Sequence, residues 1–285
     1  MAKSTRDIKR RIKGISNIKQ ITNAMELVAS VKMRKARARL ERTRPYYNTV
    51  LNSIKDVLSY TKVSHPLLEE REVIKSLYIV VTADRGLAGG YNANVTRLVD
   101  SKFKNDKESI SLITVGSKGR DFFRNRGYHI VKSFQGISEE PEFKDAREIG
   151  KIAVDLFLEG QVDEINIVYT RFISNISYDA RIMKLLPVDD LKVEGEDKLK
   201  PIIDFEPSPE EVLDYLIPKY IESTIFGALI EASSSEQAAR RVAMENATDN
   251  AEEMIEELNI SYNRARQAAI TMEISEIVAG ADALK

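Results

Sequence analysis

Near the start of the chain, Ile8, Ile12, Ile15, Ile18, Ile21, Met25 and Val28 recur at spacings of three and four. That period lines one face of a helix, and from Ile15 to Arg44 neither Gly nor Pro interrupts it. Toward the other end, Ala251, Ile255, Leu258, Tyr262, Ala265, Ala269 and Met272 alternate spacings of four and three, the heptad signature of a coiled-coil seam. They lie in a stretch free of Gly and Pro from Ala228 to Ala279, which as a helix would be a rod of about 75 Å at 1.5 Å per residue. Two such stripes at opposite ends of one chain predict an antiparallel pair, and alanines in the seam allow the axes a close approach. Pro45 is expected to bend or restart the first helix, which continues to about Tyr60. Ser208 and Pro209 read as N-cap and first turn of the last helix, with a kink expected at Pro218 and a weak point at Gly227.

Between the stripes the pattern changes. Strands are predicted at Ser76–Ala83, Ile110–Val115, Tyr128–Phe134, Asp163–Thr170 and Asp179–Pro187, and helices at Asn92–Phe103, Ser117–Arg126 and Asp145–Leu158. Strands alternating with helices of about ten residues imply a mostly parallel sheet covered by helices. The predicted class is therefore α/β: a long antiparallel coiled coil of N- and C-terminal helices plus a central Rossmann-like α/β domain. Its parts are an N-terminal coiled-coil helix (1–60), the α/β domain (74–190) and a C-terminal coiled-coil helix (208–285), with the charged, Pro-punctuated Asp189–Pro209 as a linker.

Composition narrows the function. With 43 % hydrophobic and 31 % charged residues among 285, the chain is expected to be a folded soluble protein. No apolar run approaches a bilayer span, and the basic start leads into the helical stripe rather than an apolar signal core, so it reads as mature protein. There is no cysteine and only two histidines, His65 and His129, so a thiol nucleophile, a zinc-thiolate site or a His-based triad is not expected. Carboxylates lie in patterns typical of solvated faces.

A net charge of -1 hides an asymmetry. The first 44 residues hold about 14 basic and 3 acidic side chains, and residues 206–285 hold about 16 acidic and 6 basic. The basic start, Lys3 to Lys13, suggests nucleic acid at first sight, but it lacks interleaved aromatics and opposes the helix macrodipole. It is better answered by the cluster Glu252, Glu253, Glu256 and Glu257. Placing Lys9–Lys13 beside that cluster gives partners whose residue numbers sum to about 265. The segment beyond is then left unpaired, although Ile270, Met272, Ile274, Ile277 and Val278 give it apolar surface that requires a sheath.

The loop Arg85-Gly86-Leu87-Ala88-Gly89-Gly90 follows a predicted strand and precedes a helix, where a dinucleotide fold binds phosphate. Tyr91 and Asn92 stand where a phosphate loop needs Lys and Ser/Thr, so the glycines are read as a tight strand-to-helix turn. Gly116-Ser117-Lys118-Gly119 has a weaker claim.

The segments Ile21–Ala36 (ITNAMELVASVKMRKA), Thr82–Asn92 (TADRGLAGGYN), Ser235–Met244 (SEQAARRVAM) and Tyr262–Ile274 (YNRARQAAITMEI) together resemble the gamma subunit of F-type ATP synthases, in order and across the chain. The resemblance implies the central rotor shaft of the F1 sector of a proton-translocating synthase, seated in a ring of alternating alpha and beta subunits. It would contact the epsilon subunit and the c-ring at the cytoplasmic face of the cell membrane as a peripheral part of the complex. It implies no cofactor and no nucleic-acid partner, with catalysis in the beta subunits. Met25, Arg240, Arg266 and Gln267 match family positions that contact beta, and Phe205 and Glu206 lie where the family touches the c-ring.

Overall fold

The computed structural model describes residues 5–60, 65–174, 177–188 and 206–282. The chain forms two compact units, one of residues 1–29 with 241–285 and one of residues 30–240. Their boundaries fall inside the two terminal helices, α1 (Thr5–Tyr60) and α5 (Pro209–Asp282), rather than at their ends.

The larger unit holds a five-stranded sheet of β1 (Ser76–Val81), β2 (Ile110–Val115), β3 (Ile130–Phe134), β4 (Glu164–Phe172) and β5 (Tyr178–Leu186). The strand order is β3-β2-β1-β4-β5. Pairings are parallel except β4 with β5, which is antiparallel. The connection at 173–177 explains the exception, because a parallel partner needs a crossover of a dozen or more residues. Helices α2 (Tyr91–Phe103), α3 (Ser117–Arg124) and α4 (Phe143–Leu158) complete the layers.

Alternation sends successive side chains of β1 to opposite faces. Leu77, Ile79 and Val81 join one core with Ile149, Ala153 and Phe157 of α4, Val50, Ile54 and Val57 of α1, and Leu213, Ile217, Ile221 and Ile225 of α5. Tyr78 and Val80 join the other with Val95 and Val99 of α2 and Phe123 of α3. Each such buried side chain stabilises the fold by about 1.5–3 kcal/mol relative to exposure. The core thereby welds the roots of both terminal helices to the sheet.

Neither proline breaks its helix: Pro45 lies inside α1 and Pro218 inside α5. Each deprives the carbonyl four residues earlier, Glu41 and Asp214, of its donor, and both of those residues are exposed. Water can therefore satisfy what the ring removes. Gly227 does not interrupt α5 either. Ser208 caps α5 as predicted, its Oγ accepting from the Glu211 N–H at 3.2 Å. Of the predicted linker, residues 189–205 lie outside the described residues.

Candidate functional site

Strand order reverses between β1 and β4, and in a doubly wound sheet the crevice at the carboxyl ends of such strands is where ligands bind. Here the chain's own helix α5 occupies it. Ser235 Oγ donates to the Thr170 carbonyl at 3.0 Å. Ala239 packs with Ala83, Ala88 and Tyr91. Arg240 Nη2 lies 2.7 Å from Glu236 Oε1 and 3.4 Å from the Gly86 carbonyl. The residues standing in place of a phosphate loop's Lys and Ser are also used internally, for Tyr91 is buried and Asn92 Oδ1 accepts from the Ala83 N–H at 2.8 Å. Gly116 shows why the second loop needs glycine: its φ is +88°, and a Cβ there would lie 2.2 Å from the Thr82 carbonyl oxygen. In the first loop a Cβ at Gly86 would meet nothing within 4 Å, so close packing accounts for the second loop's glycines and not for that one.

Glu236 has no exposed surface. Burial pushes its carboxyl above the usual range; the charge and hydrogen bond of Arg240 offset part of that, and Glu139 and Asp84 add to it. Arg240, expected from the resemblance as a contact with a partner, is 6 % exposed and turned inward onto Glu236. The spacing of four between the two was visible in the sequence, whereas their burial was not.

In the smaller unit the helices run antiparallel. Lys19 Nζ meets Glu252 Oε1 at 2.8 Å, and Thr248 Oγ1 donates to Thr22 Oγ1 at 2.7 Å. Paired residue numbers thus sum to about 270 rather than 265, a shift of more than one helical turn. Glu252 belongs to Lys19, not to Lys9–Lys13. The reason lies in the seam: Ile8, Thr22, Ala29, Met244 and Ala251 are buried, while Ile18, Ile21 and Val28 of the apolar stripe are more than half exposed. A lysine and a threonine sit where the stripe alone would have placed isoleucines.

Met25 is half-buried. Arg266 and Gln267 are exposed, as are Ile270, Met272, Ile274, Ile277 and Val278. Glu206 is exposed, and Phe205 lies outside the described residues. Asp84 and Glu139 were not singled out from the sequence, although an aspartate directly after a strand, in Thr-Ala-Asp-Arg-Gly, was a signal for Asp84.

The ligand crevice of the Rossmann-like sheet is filled by the chain's own helix, and in the smaller unit the end of α5 carries exposed apolar residues. Comparison with known proteins gives the class, the central stalk of ATP synthases. The ATP synthase family model matches residues 4–284. The ATP synthase gamma chain of Alkaliphilus metalliredigens is 54 % identical over the full length of both chains. The sodium-ion-specific ATP synthase gamma chain of Acetobacterium woodii is 49 % identical, again over both full lengths. Among solved structures, a chain of the Tetrahymena thermophila mitochondrial ATP synthase central stalk and c-ring is 27 % identical with a TM-score of 0.64, covering 80 % of this chain and 99 % of that one. A chain of the Euglena gracilis mitochondrial OSCP/F1/c-ring assembly shares the fold at a TM-score of 0.73 and 22 % identity, covering 98 % and 94 %. The chain belongs to the ATP synthase gamma subunit family, that of the central stalk.

Proposed function

We propose that this subunit is the rotating shaft that couples ion flow through a membrane c-ring to conformational cycling of catalytic beta subunits, and that it performs no catalysis itself. The observation that carries the reading is α5, a single helix of 74 residues that begins in the core of the α/β domain and ends in exposed apolar residues. A continuous hydrogen-bonded helix resists twist, and apolar surface of that extent calls for a surrounding sleeve. An alpha–beta ring would supply the sleeve, and the epsilon subunit and c-ring would bind the α/β domain. Among the described residues no helix is long and apolar enough to cross a membrane. By the rotor reading, the subunit would lie on the cytoplasmic face of the cell membrane as a peripheral part of the complex.

In this reading Met25, Arg266 and Gln267 face beta, and Phe205 and Glu206 face the c-ring. Arg240, turned inward, would act on the coupling region through Glu236 and the Gly86 loop. Met25→Lys would place an ammonium at the shaft surface, where attraction to an acidic group about 4 Å away is on the order of 4 kcal/mol at an effective dielectric near 20. Arg266→Ala would remove a charge-assisted contact of about 1.5–3 kcal/mol. Neither change cuts the buried seam, so both variants should assemble but pump fewer ions per ATP hydrolysed. The test is ATP-driven pumping by membrane vesicles with subunit content measured alongside; wild-type turnover and pumping in both variants would discard these contacts. The same vesicles test the coupling ion, proposed to be the proton. Acidification independent of sodium supports it, and sodium uptake would place the subunit with an enzyme like that of the Acetobacterium woodii relative.

A further inference from the structure

The loop between β3 and α4 carries three consecutive residues held by α1, the first of them also by α5. Lys32 Nζ donates to Glu139 Oε2 at 2.6 Å, and Lys35 Nζ to Glu140 Oε1 at 3.2 Å. Arg39 Nη2 donates to the Pro141 carbonyl at 2.9 Å. Lys32, Lys35 and Arg39 are spaced three and four apart and so share one face of α1. From the other helix, Ser233 Oγ of α5 donates to the Glu139 carbonyl at 2.7 Å, and Arg85 Nη1 stands 3.8 Å from Glu139 Oε1. Glu139 is the one residue of the loop bound by α1, α5 and the loop after β1 together.

The loop is fixed at its two ends. Asp84 Oδ2 accepts from the Gly136 N–H at 2.9 Å and from Ser138 Oγ at 3.0 Å, while its Oδ1 accepts from the Ser117 N–H at 3.0 Å. One carboxylate thus ties together the loops that follow β1, β2 and β3. At the far end, a capping box between Glu142 and Asp145 starts α4. Burial pushes the Glu139 carboxyl up, but the hydrogen bond and charge of Lys32, joined by Arg85 and Arg240, bring it below its ordinary value. It is therefore ionised, and its bond with Lys32 is charge-assisted, while the Ser233 bond to its main-chain carbonyl is a neutral one.

The packed core holds the helix roots against the sheet, and directional charge-assisted hydrogen bonds narrow their orientation further. From this geometry we propose that Glu139 is a positioning residue for torque transmission. With Glu140 and Pro141 it locks the α/β domain to α1 and α5 so that sheet and helices turn as one body. The proposal rests on the rotor reading. Its consequence is that weakening the joint adds rotational play between domain and helices while leaving ATP hydrolysis intact.

The experiment uses the assembled F1 complex with its ring immobilised and a probe attached to an introduced cysteine on the exposed face of α3. The angular spread of the probe is recorded in a stalled state, and ATP hydrolysis and thermal stability are measured in parallel. Glu139→Ala and Lys32→Glu should each widen the spread beyond that of wild type, because a bond that fixes orientation is lost. Glu139→Gln should do so less, and Lys32→Glu with Glu139→Lys should narrow it again, because the two sites couple. Hydrolysis by all variants should stay near wild type. Wild-type spread in Glu139→Ala and Lys32→Glu would overturn the joint, as would a widening that the swapped pair fails to reverse. Should Glu139→Ala fail to assemble, Glu139→Gln and the swapped pair decide the matter. A wild-type complex that hydrolyses ATP without turning the probe would instead defeat the rotor reading, so the two failures are distinct.

Discussion

Glu236 and Arg240 show how much one pair of side chains can carry. Removing Arg240 leaves a carboxylate with no exposed surface and no counter-charge, a change that typically costs about 3–5 kcal/mol. Because burial already raises the Glu236 pKa, its folded form holds a proton more tightly than its unfolded form. Stability therefore falls as pH rises from the ordinary carboxylate range through the raised value. Arg240→Ala should thus cost more at pH 7.5 than at pH 5 in urea unfolding; a loss below about 1 kcal/mol that is equal at both pH values would contradict the arrangement. Tyr169 gives a second pH dependence. Burial, followed by the charge of Glu231, pushes its phenol up to about 12. The native state then retains a proton that the unfolded state releases, so stability should decline between pH 10 and pH 12. Tyr169→Phe should flatten that decline, and an unchanged slope would show that another group titrates there.

The elements were largely legible in the sequence, and their pairing less so. Every predicted strand and domain helix is present, because alternation and the 3.6-residue period report burial directly. The antiparallel β5 also follows from its short connection to β4. That the terminal helices run through Pro45 and Pro218 was legible; why they tolerate these prolines was not, since that depends on which carbonyls face water. Nor was the coiled-coil register, because Ile18, Ile21 and Val28 belong to the apolar stripe yet lie off the seam that Lys19 and Thr22 enter. The chain lacks cysteine, which makes the register easy to test. Thr22→Cys with Thr248→Cys should crosslink on mild oxidation, whereas Thr22→Cys with Ala243→Cys, the partner implied by a sum of 265, should not; the reverse result would restore the earlier register. Gly227 offers a further test within α5. A Cβ there meets nothing within 4 Å, so Gly227→Ala should stabilise the helix by about 1 kcal/mol and raise the melting temperature. A lower melting temperature would reveal a constraint at that position.

At the level of the whole subunit, burial and exposure divide the labour. The α/β domain uses its ligand crevice to seat α5. The far end of α5 keeps Arg266, Gln267 and its apolar residues exposed. The contact role proposed for Arg266 and Gln267 rests on the resemblance alone, since a lone exposed arginine carries no distinguishing pattern. The central claim is rotation, and single-molecule observation tests it most directly. With the alpha–beta ring fixed to a surface and a probe on the α/β domain, ATP should drive the probe in one direction, and the rate should follow ATP hydrolysis. Hydrolysis at the wild-type rate with a stationary probe would contradict the account.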